Sequence, residues 1–222
     1  MSGPLCCIET LPSHIAVEGP IGVGKTTLAR RLADDFGAEL LLEQPEKNPF
    51  LERFYEDPAR AALPTQLSFL MGRVRQMQTL RQSDLFAPVR VADFMIEKDR
   101  LFAEATLDSD ELALYEQVYG HLTIDAPRPE LVVYLQAPVD VLLKRIARRD
   151  RSYERDIEVV YLERLCERYA DFFHHYDEAP LLIVNASEID IVSNERDYQA
   201  LVQEIRHVPT GRRYFNPLPF SM

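Results

Sequence analysis

The segment Gly19-Pro20-Ile21-Gly22-Val23-Gly24-Lys25-Thr26 constrains this chain's fold more than any other, because it fits G-x-x-x-x-G-K-[ST]. The glycines let the backbone wrap an anion, so that successive N–H groups and a helix N-terminus point at it. Such a loop has to lie between a strand and a helix. His14-Ile-Ala-Val17 supplies a short apolar run before it. Leu28, Leu32 and Phe36, four apart after it, make one helical face that Gly37 is placed to stop. The expectation is a nucleoside triphosphate site formed by Gly19 through Gly24, Lys25, Thr26 and Thr27. Lys25 would reach the β and γ phosphates, and the Thr26 hydroxyl would hold Mg²⁺.

The rest of the chain alternates in the same way. Apolar runs at 39–43, 89–93, 131–135 and 181–184 read as strands. Helical patterns fall at 50–55, 65–81, 98–106, 110–121, 139–149, 158–176 and 196–205. Nearly continuous apolar strands separated by helices imply an α/β fold, with a parallel sheet of about five strands covered by helices on both faces. Such sheets bind ligands at the carboxyl ends of their strands. Residues 1–12 read as a loose arm, 13–207 as the domain and 208–222 as an irregular tail holding three prolines and two arginines.

Composition narrows the partners. A net charge of -11 over 222 residues argues against a nucleic-acid polymer or an anionic membrane surface. The chain has no apolar run of membrane-spanning length and no signal-peptide pattern at its start. The three cysteines, two of them the adjacent Cys6 and Cys7, suggest no disulfide framework, and Cys166 lies in a helical pattern. A reducing cytoplasm is the expected setting.

Against that acidic background stands a basic cluster: Lys144, Arg145, Arg148, Arg149, Arg151 and Arg155. Arginines closing over a phosphoryl group in flight stabilise its spread negative charge. Arg145 and Arg149 share a helical face and Arg151 follows on the loop, so a lid at about 149–157 is expected to supply them. A guanine-reading Asn-Lys-x-Asp is absent, which argues against a GTPase, and Val91-Ala-Asp93-Phe94 only half fits a motor ATPase. Glu43 closes the second apolar run and would stand at the sheet's carboxyl edge. A carboxylate there can take a proton from an alcohol, whereas the acidic run Glu43-Gln-Pro-Glu46 would repel a phosphorylated acceptor. These residues point to a kinase using ATP and Mg²⁺ on a small hydroxyl-bearing acceptor.

From about His14 to Asn185 the chain resembles the deoxyribonucleoside kinase family, which phosphorylates the 5′-hydroxyl of deoxynucleosides. The resemblance makes Glu43 the general base, and Asn48-Pro-Phe50-Leu51 is similar to bacterial members, with a purine nucleoside favoured. It implies that Tyr55 holds the sugar 3′-hydroxyl, Gln66 and Arg73 read the base, and Asp99 accompanies that arginine. Asp93 takes the place of an acid implicated at Mg²⁺. The segment Arg149-Asp-Arg151-Ser-Tyr-Glu154 resembles the lid motif, with Glu154 as a second contact to the 3′-hydroxyl. A homodimer is implied, and the apolar Leu112, Leu114, Val118 and Leu122 permit one.

The chain also departs from that pattern. The family's Arg-Ser after the third-strand acid is Phe94-Met95, so a guanidinium beside the 5′-hydroxyl is missing, and Lys98 or Arg100 are the candidates to replace it. The lid glycine is Asp150, the first acid of the lid pair is Tyr153, and the family's substrate-side tryptophan has no counterpart in a chain without Trp. Two further readings stay open at this level: a kinase of another hydroxyl-bearing metabolite, or a nucleotide-binding module.

Overall fold

A computed structural model describes residues 11–82, 89–123, 126–151, 154, 157–187, 189, 194–207 and 210–216. In chain order the elements are β1 (His14–Glu18), α1 (Lys25–Phe36), β2 (Glu39–Leu41), α2 (Leu51–Glu56), α3 (Pro58–Gln82), β3 (Arg90–Ala92), α4 (Lys98–Thr106) and α5 (Ser109–Leu122). There follow β4 (Leu131–Gln136), α6 (Val139–Arg149), α7 (Val159–His175), β5 (Leu181–Asn185), α8 (Glu195–Arg206) and β6 (Arg212–Phe215). The strands form one sheet in the order β2-β3-β1-β4-β5-β6, and neighbouring strands run parallel throughout.

Every residue of β1 is buried, as a strand covered on both faces requires. Alternation divides the core. Ile15, Val17, Val133, Leu135 and Val184 pack against Leu28 and Leu32 of α1, Ile146 of α6 and Leu201 of α8. Ala16, Val132, Tyr134 and Ile183 face the other way, onto Leu165, Tyr169 and Phe173 of α7. Small Ala16 leaves room on that face for the stacked rings of Tyr134 and Phe173, whose centroids lie 4.1 Å apart. Gly37 ends α1 with φ 60°, and the Ala38 N–H closes back on the Ala33 carbonyl at 2.8 Å.

Two elements differ from expectation. The sheet has a sixth strand, β6, within the segment read as irregular. Its side chains are mostly exposed, so no apolar period marks it, and a side-chain anchor fastens it instead. The Arg212 guanidinium donates to the carbonyls of Phe173 and His174, at 3.0 and 2.7 Å, where α7 runs out of internal partners. Helix α3 begins at Pro58 and runs through Pro64, where the pattern suggested a start at Thr65. Ala61 and Ala62, packed on Leu51 and Phe54, hold the turns that the proline would otherwise loosen. Residues 1–10 of the arm and 217–222 of the tail lie outside the described residues, as do Ser152, Tyr153 and Arg155 of the lid.

Candidate active site

The parallel register carries the ends of β1, β2 and β3 to one edge, and the chemistry-bearing residues follow directly from them. The phosphate loop leaves β1 at Gly19, whose φ of 144° and close approach exclude a side chain: a Cβ there would lie 2.4 Å from the Leu135 carbonyl oxygen. At Gly22, φ 83°, a Cβ would meet Ile146 of α6 at 2.7 Å. The loop is therefore a backbone cradle pressed between β4 and α6, which fits a polyphosphate. Lys25 bends back over it and donates to the carbonyls of Gly19 (2.7 Å) and Pro20 (3.0 Å). Burial first, and then the neighbouring Lys98 ammonium, bring the Lys25 pKa down to about 8.

The Thr26 hydroxyl donates to Asp93 Oδ2 at 2.6 Å, and the Glu43 N–H donates to Asp93 Oδ1 at 2.7 Å. Asp93 thus joins the first turn of α1 to the segment after β2. Among the described residues no group of three or more His, Cys, Asp or Glu side chains could hold a metal. One hydroxyl and one carboxylate are the sparse oxygen set that suits Mg²⁺, which takes most of its ligands from water and phosphate.

Glu43 lies two residues beyond β2 and lines a cleft of about 380 Å³. Its Oε1 accepts from Arg73 Nη2, and its Oε2 accepts from Lys98 Nζ at 2.8 Å. Burial would raise this carboxyl, but Arg73 and Lys98 outweigh it and bring the pKa down to about 2. Arg73 also donates through Nη1 to Asp99. Asp99 is fully buried and its Oδ2 has no hydrogen-bond partner, so desolvation pushes it up to about 7 against the pull of Arg73. Gln66, buried one helical stretch away, donates to the Thr106 hydroxyl at 3.2 Å.

Most of the expected residues meet in this cleft: Lys25, Thr26, Glu43, Tyr55, Gln66, Arg73, Asp93, Arg149, Arg151 and Glu154 line it, and Asp99 stands behind Arg73. Arg149 donates to Glu154 through Nε at 3.0 Å and again through Nη2, and Arg151 stands 3.9 Å from the same carboxylate. Arg145 departs from expectation. Its guanidinium does not face the cleft; it donates to the Val23 carbonyl (3.1 Å) and the Ala186 carbonyl (2.8 Å). It braces the phosphate loop against the end of β5. Asp150 ends α6 with φ 47°, the one non-glycine residue among those described with positive φ, at the position that the family resemblance gives to the lid glycine.

Other residues of the site escaped sequence reading. Phe69 lines the cleft with the Arg73 guanidinium 5.3 Å from its ring, and its spacing from Gln66 and Arg73 on one helix face could have marked it. Tyr161 of α7 lines the cleft edge-on to Phe54, with no motif to announce it. Glu18, fully buried, accepts from Gly19 N, Met95 N and the Tyr169 hydroxyl, tying the loop to the turn after β3. Phe94 is buried below the cleft with Met77 and Leu41.

A family model described as "Deoxynucleoside kinase" matches residues 15–209. The chain belongs to the deoxynucleoside kinase family. It is 36% identical over 209 residues to a deoxyguanosine kinase of Bacillus subtilis (strain 168), spanning 90% of this chain and 99% of that one. A deoxyadenosine kinase of Lactobacillus acidophilus is 29% identical over 206 residues, with 86% and 94% covered. The fold matches a solved deoxyadenosine kinase of M. mycoides with a TM-score of 0.77, at 23% identity over 87% of this chain and 99% of that one. This enzyme is accordingly a deoxynucleoside kinase, a transferase that moves a phosphoryl group to a deoxynucleoside. No helix among the described residues is long and apolar enough to cross a membrane.

Proposed function

We propose that the protein transfers the γ-phosphate of ATP to the 5′-hydroxyl of a purine deoxyribonucleoside, with Glu43 as general base. The observation that carries this reading is the placement of Glu43. It stands in the cleft beside both the phosphate loop and the Asp93–Thr26 pair, and a hydroxyl presented there meets a carboxylate on one side and the donor phosphates on the other. Gln66 and Arg73 stand deeper, on α3, as donors for a base edge, and Phe69 and Phe102 give the base apolar walls. A purine, and deoxyguanosine first, is favoured by the deoxyguanosine kinase relative. Tyr55 and Glu154 hold the 3′-hydroxyl. Mg²⁺ held by Thr26 and Asp93 supplies charge neutralisation for the phosphates. Lys25, Arg149 and Arg151 bind the phosphate chain and keep water out as the lid closes.

A homodimer belongs to the same reading. Leu112 and Val118 pack inward with Tyr115, whereas Leu114 and Leu122 on α5 are 49% and 38% exposed. Sedimentation of the intact protein checks it, and a monomer at micromolar concentration would remove it.

The assay is transfer of labelled phosphate from ATP with Mg²⁺ to the four deoxynucleosides, the ribonucleosides and the monophosphates. Purine deoxynucleosides are expected to accept it. Glu43→Gln is expected to lose about 10²–10⁴-fold in kcat, the size of a general base's contribution. Transfer to monophosphates alone, or full activity in Glu43→Gln, would reject the mechanism.

A further inference from the structure

We propose that Lys98 is a catalytic residue of this kinase: its ammonium leaves Glu43 for the transferring phosphoryl group, and the same movement opens a Glu43 oxygen to the acceptor hydroxyl. The inference rests on Glu43 acting as the base. It begins from a conflict in the geometry. Both Glu43 oxygens are occupied, Oε1 by Arg73 and Oε2 by Lys98. Each oxygen keeps a second lone pair, but a hydroxyl using it competes with a cation already bonded to the same oxygen, so the proton transfer is favoured when one cation moves.

Arg73 is the worse candidate. It is held from two directions, by Glu43 and by Asp99, and its planar fork fits both at once. Among the described residues Lys98 has one ion-pair partner within 4 Å, Glu43, with the Phe102 ring 5.5 Å from its Nζ and the buried Glu18 carboxylate acting on it from further off. Its four-carbon stem can swing while α4 stays in place. Glu43 keeps Arg73 when Lys98 departs, so its carboxylate stays charged and aimed.

The destination follows from burial. Lys98 is 3% exposed, and an ammonium so enclosed is costly without an anionic partner. The anion that enters the cleft with the substrates is the phosphate chain of the donor, and Lys25 and Lys98 both line that cleft. Lys25, Arg149 and Arg151 line the same cleft, whereas two other nearby cations are committed elsewhere. Arg145 braces the phosphate loop, and Arg100 faces outward to Glu116 at 2.9 Å. Phe94, at the position where the family pattern has an arginine, is fully buried beneath the site.

In the step, the acceptor oxygen forms a bond to Pγ, and the bond from Pγ to the bridging oxygen breaks. Its electron pair leaves on ADP, and the hydroxyl proton passes to the freed Glu43 oxygen. Lys98 gains strength of contact only as charge develops on the phosphoryl oxygens, which is the condition for lowering the barrier.

The deciding variant is Lys98→Gln, which keeps a polar N–H donor but carries no charge, with Lys98→Arg beside it. For Lys98→Gln we expect kcat about 10²–10³-fold lower, in the range set by loss of one transition-state donor. Both KM values should stay within about threefold, the signature of a contact made only in the transition state. Lys98→Arg should recover at least tenfold of that loss. ADP with aluminium fluoride and deoxyguanosine, a mimic of the phosphoryl in flight, should bind Lys98→Gln at least about thirtyfold more weakly, while ATP binding is unchanged. If kcat stays within threefold, or ATP and the mimic weaken equally, Lys98 is only a neutraliser of Glu43 and the proposal falls. A wild-type enzyme that transfers to no deoxynucleoside takes down the Glu43 reading as well, so the two failures are told apart by the wild type.

Discussion

Lys25 and Glu43 show how one cleft sets protonation at the level of single side chains. Glu43 is held as a carboxylate by two cations, and Lys25 is brought down to about 8 by burial and by Lys98. A lysine deprotonates as pH rises through its pKa, and a bound polyphosphate favours the charged form. ATP binding near pH 8 to 8.5 should therefore take up a proton, and the uptake should fade by pH 6.5, where Lys25 is already charged. Calorimetry in buffers of different ionisation enthalpy reads this directly. Lys25→Arg should show no uptake, because a guanidinium stays protonated across that range.

Between elements, the phosphate loop and α6 form a unit. Gly22 lies so close to α6 that an added Cβ would stand 2.7 Å from Ile146 and 3.0 Å from the Leu142 carbonyl oxygen. Arg145, the residue before Ile146 on α6, ties that helix to Val23 of the loop. Gly22→Ala should thus displace both the cradle and the helix that leads into the lid, adding ~1–3 kcal/mol of backbone strain. The expected result is at least tenfold weaker ATP binding with a lowered melting temperature. Ile146→Ala in the same chain should restore only part of the affinity, since φ 83° and the Leu142 carbonyl remain. Full recovery in the double variant would show that the side-chain clash alone matters.

For the whole molecule, the start of β1 carries a pH-sensitive point far from the chemistry. His14 is buried, its Nε2 has no hydrogen-bond partner, and burial lowers its pKa below the ordinary 6.5. The unfolded chain takes up a proton near 6.5 that the native strand resists, so stability is lost as pH falls through the interval just below that value. Thermal melts between pH 7 and pH 5.5 should show this slope, and His14→Leu should flatten it while leaving the pH 7 melting temperature within a few degrees. An unchanged slope would remove His14 from the acid response.

Much of this protein was readable along the chain because its signals are local. The phosphate loop needs glycines at fixed spacing, and β1, β4 and β5 are continuous apolar runs because parallel strands are covered on both faces. Gln66, Phe69 and Arg73 share a face through helical periodicity alone. The amino-acid sequence by itself thus determined the α/β fold, the family and the loop that cradles phosphate. Tertiary structure alone decided which cation meets which anion. Arg145 and Arg149 are equivalent by spacing, yet one braces backbone carbonyls and the other faces Glu154 in the cleft. Lys98 and Arg100 are two residues apart, yet opposite sides of α4 send one to Glu43 and the other to the surface. Strand β6 pairs with β5 and is fastened by Arg212 to the end of α7, a partnership formed across 36 to 39 residues of chain. Long side chains choose partners by the three-dimensional supply of unpaired charge and carbonyl oxygen, and no linear pattern encodes that supply.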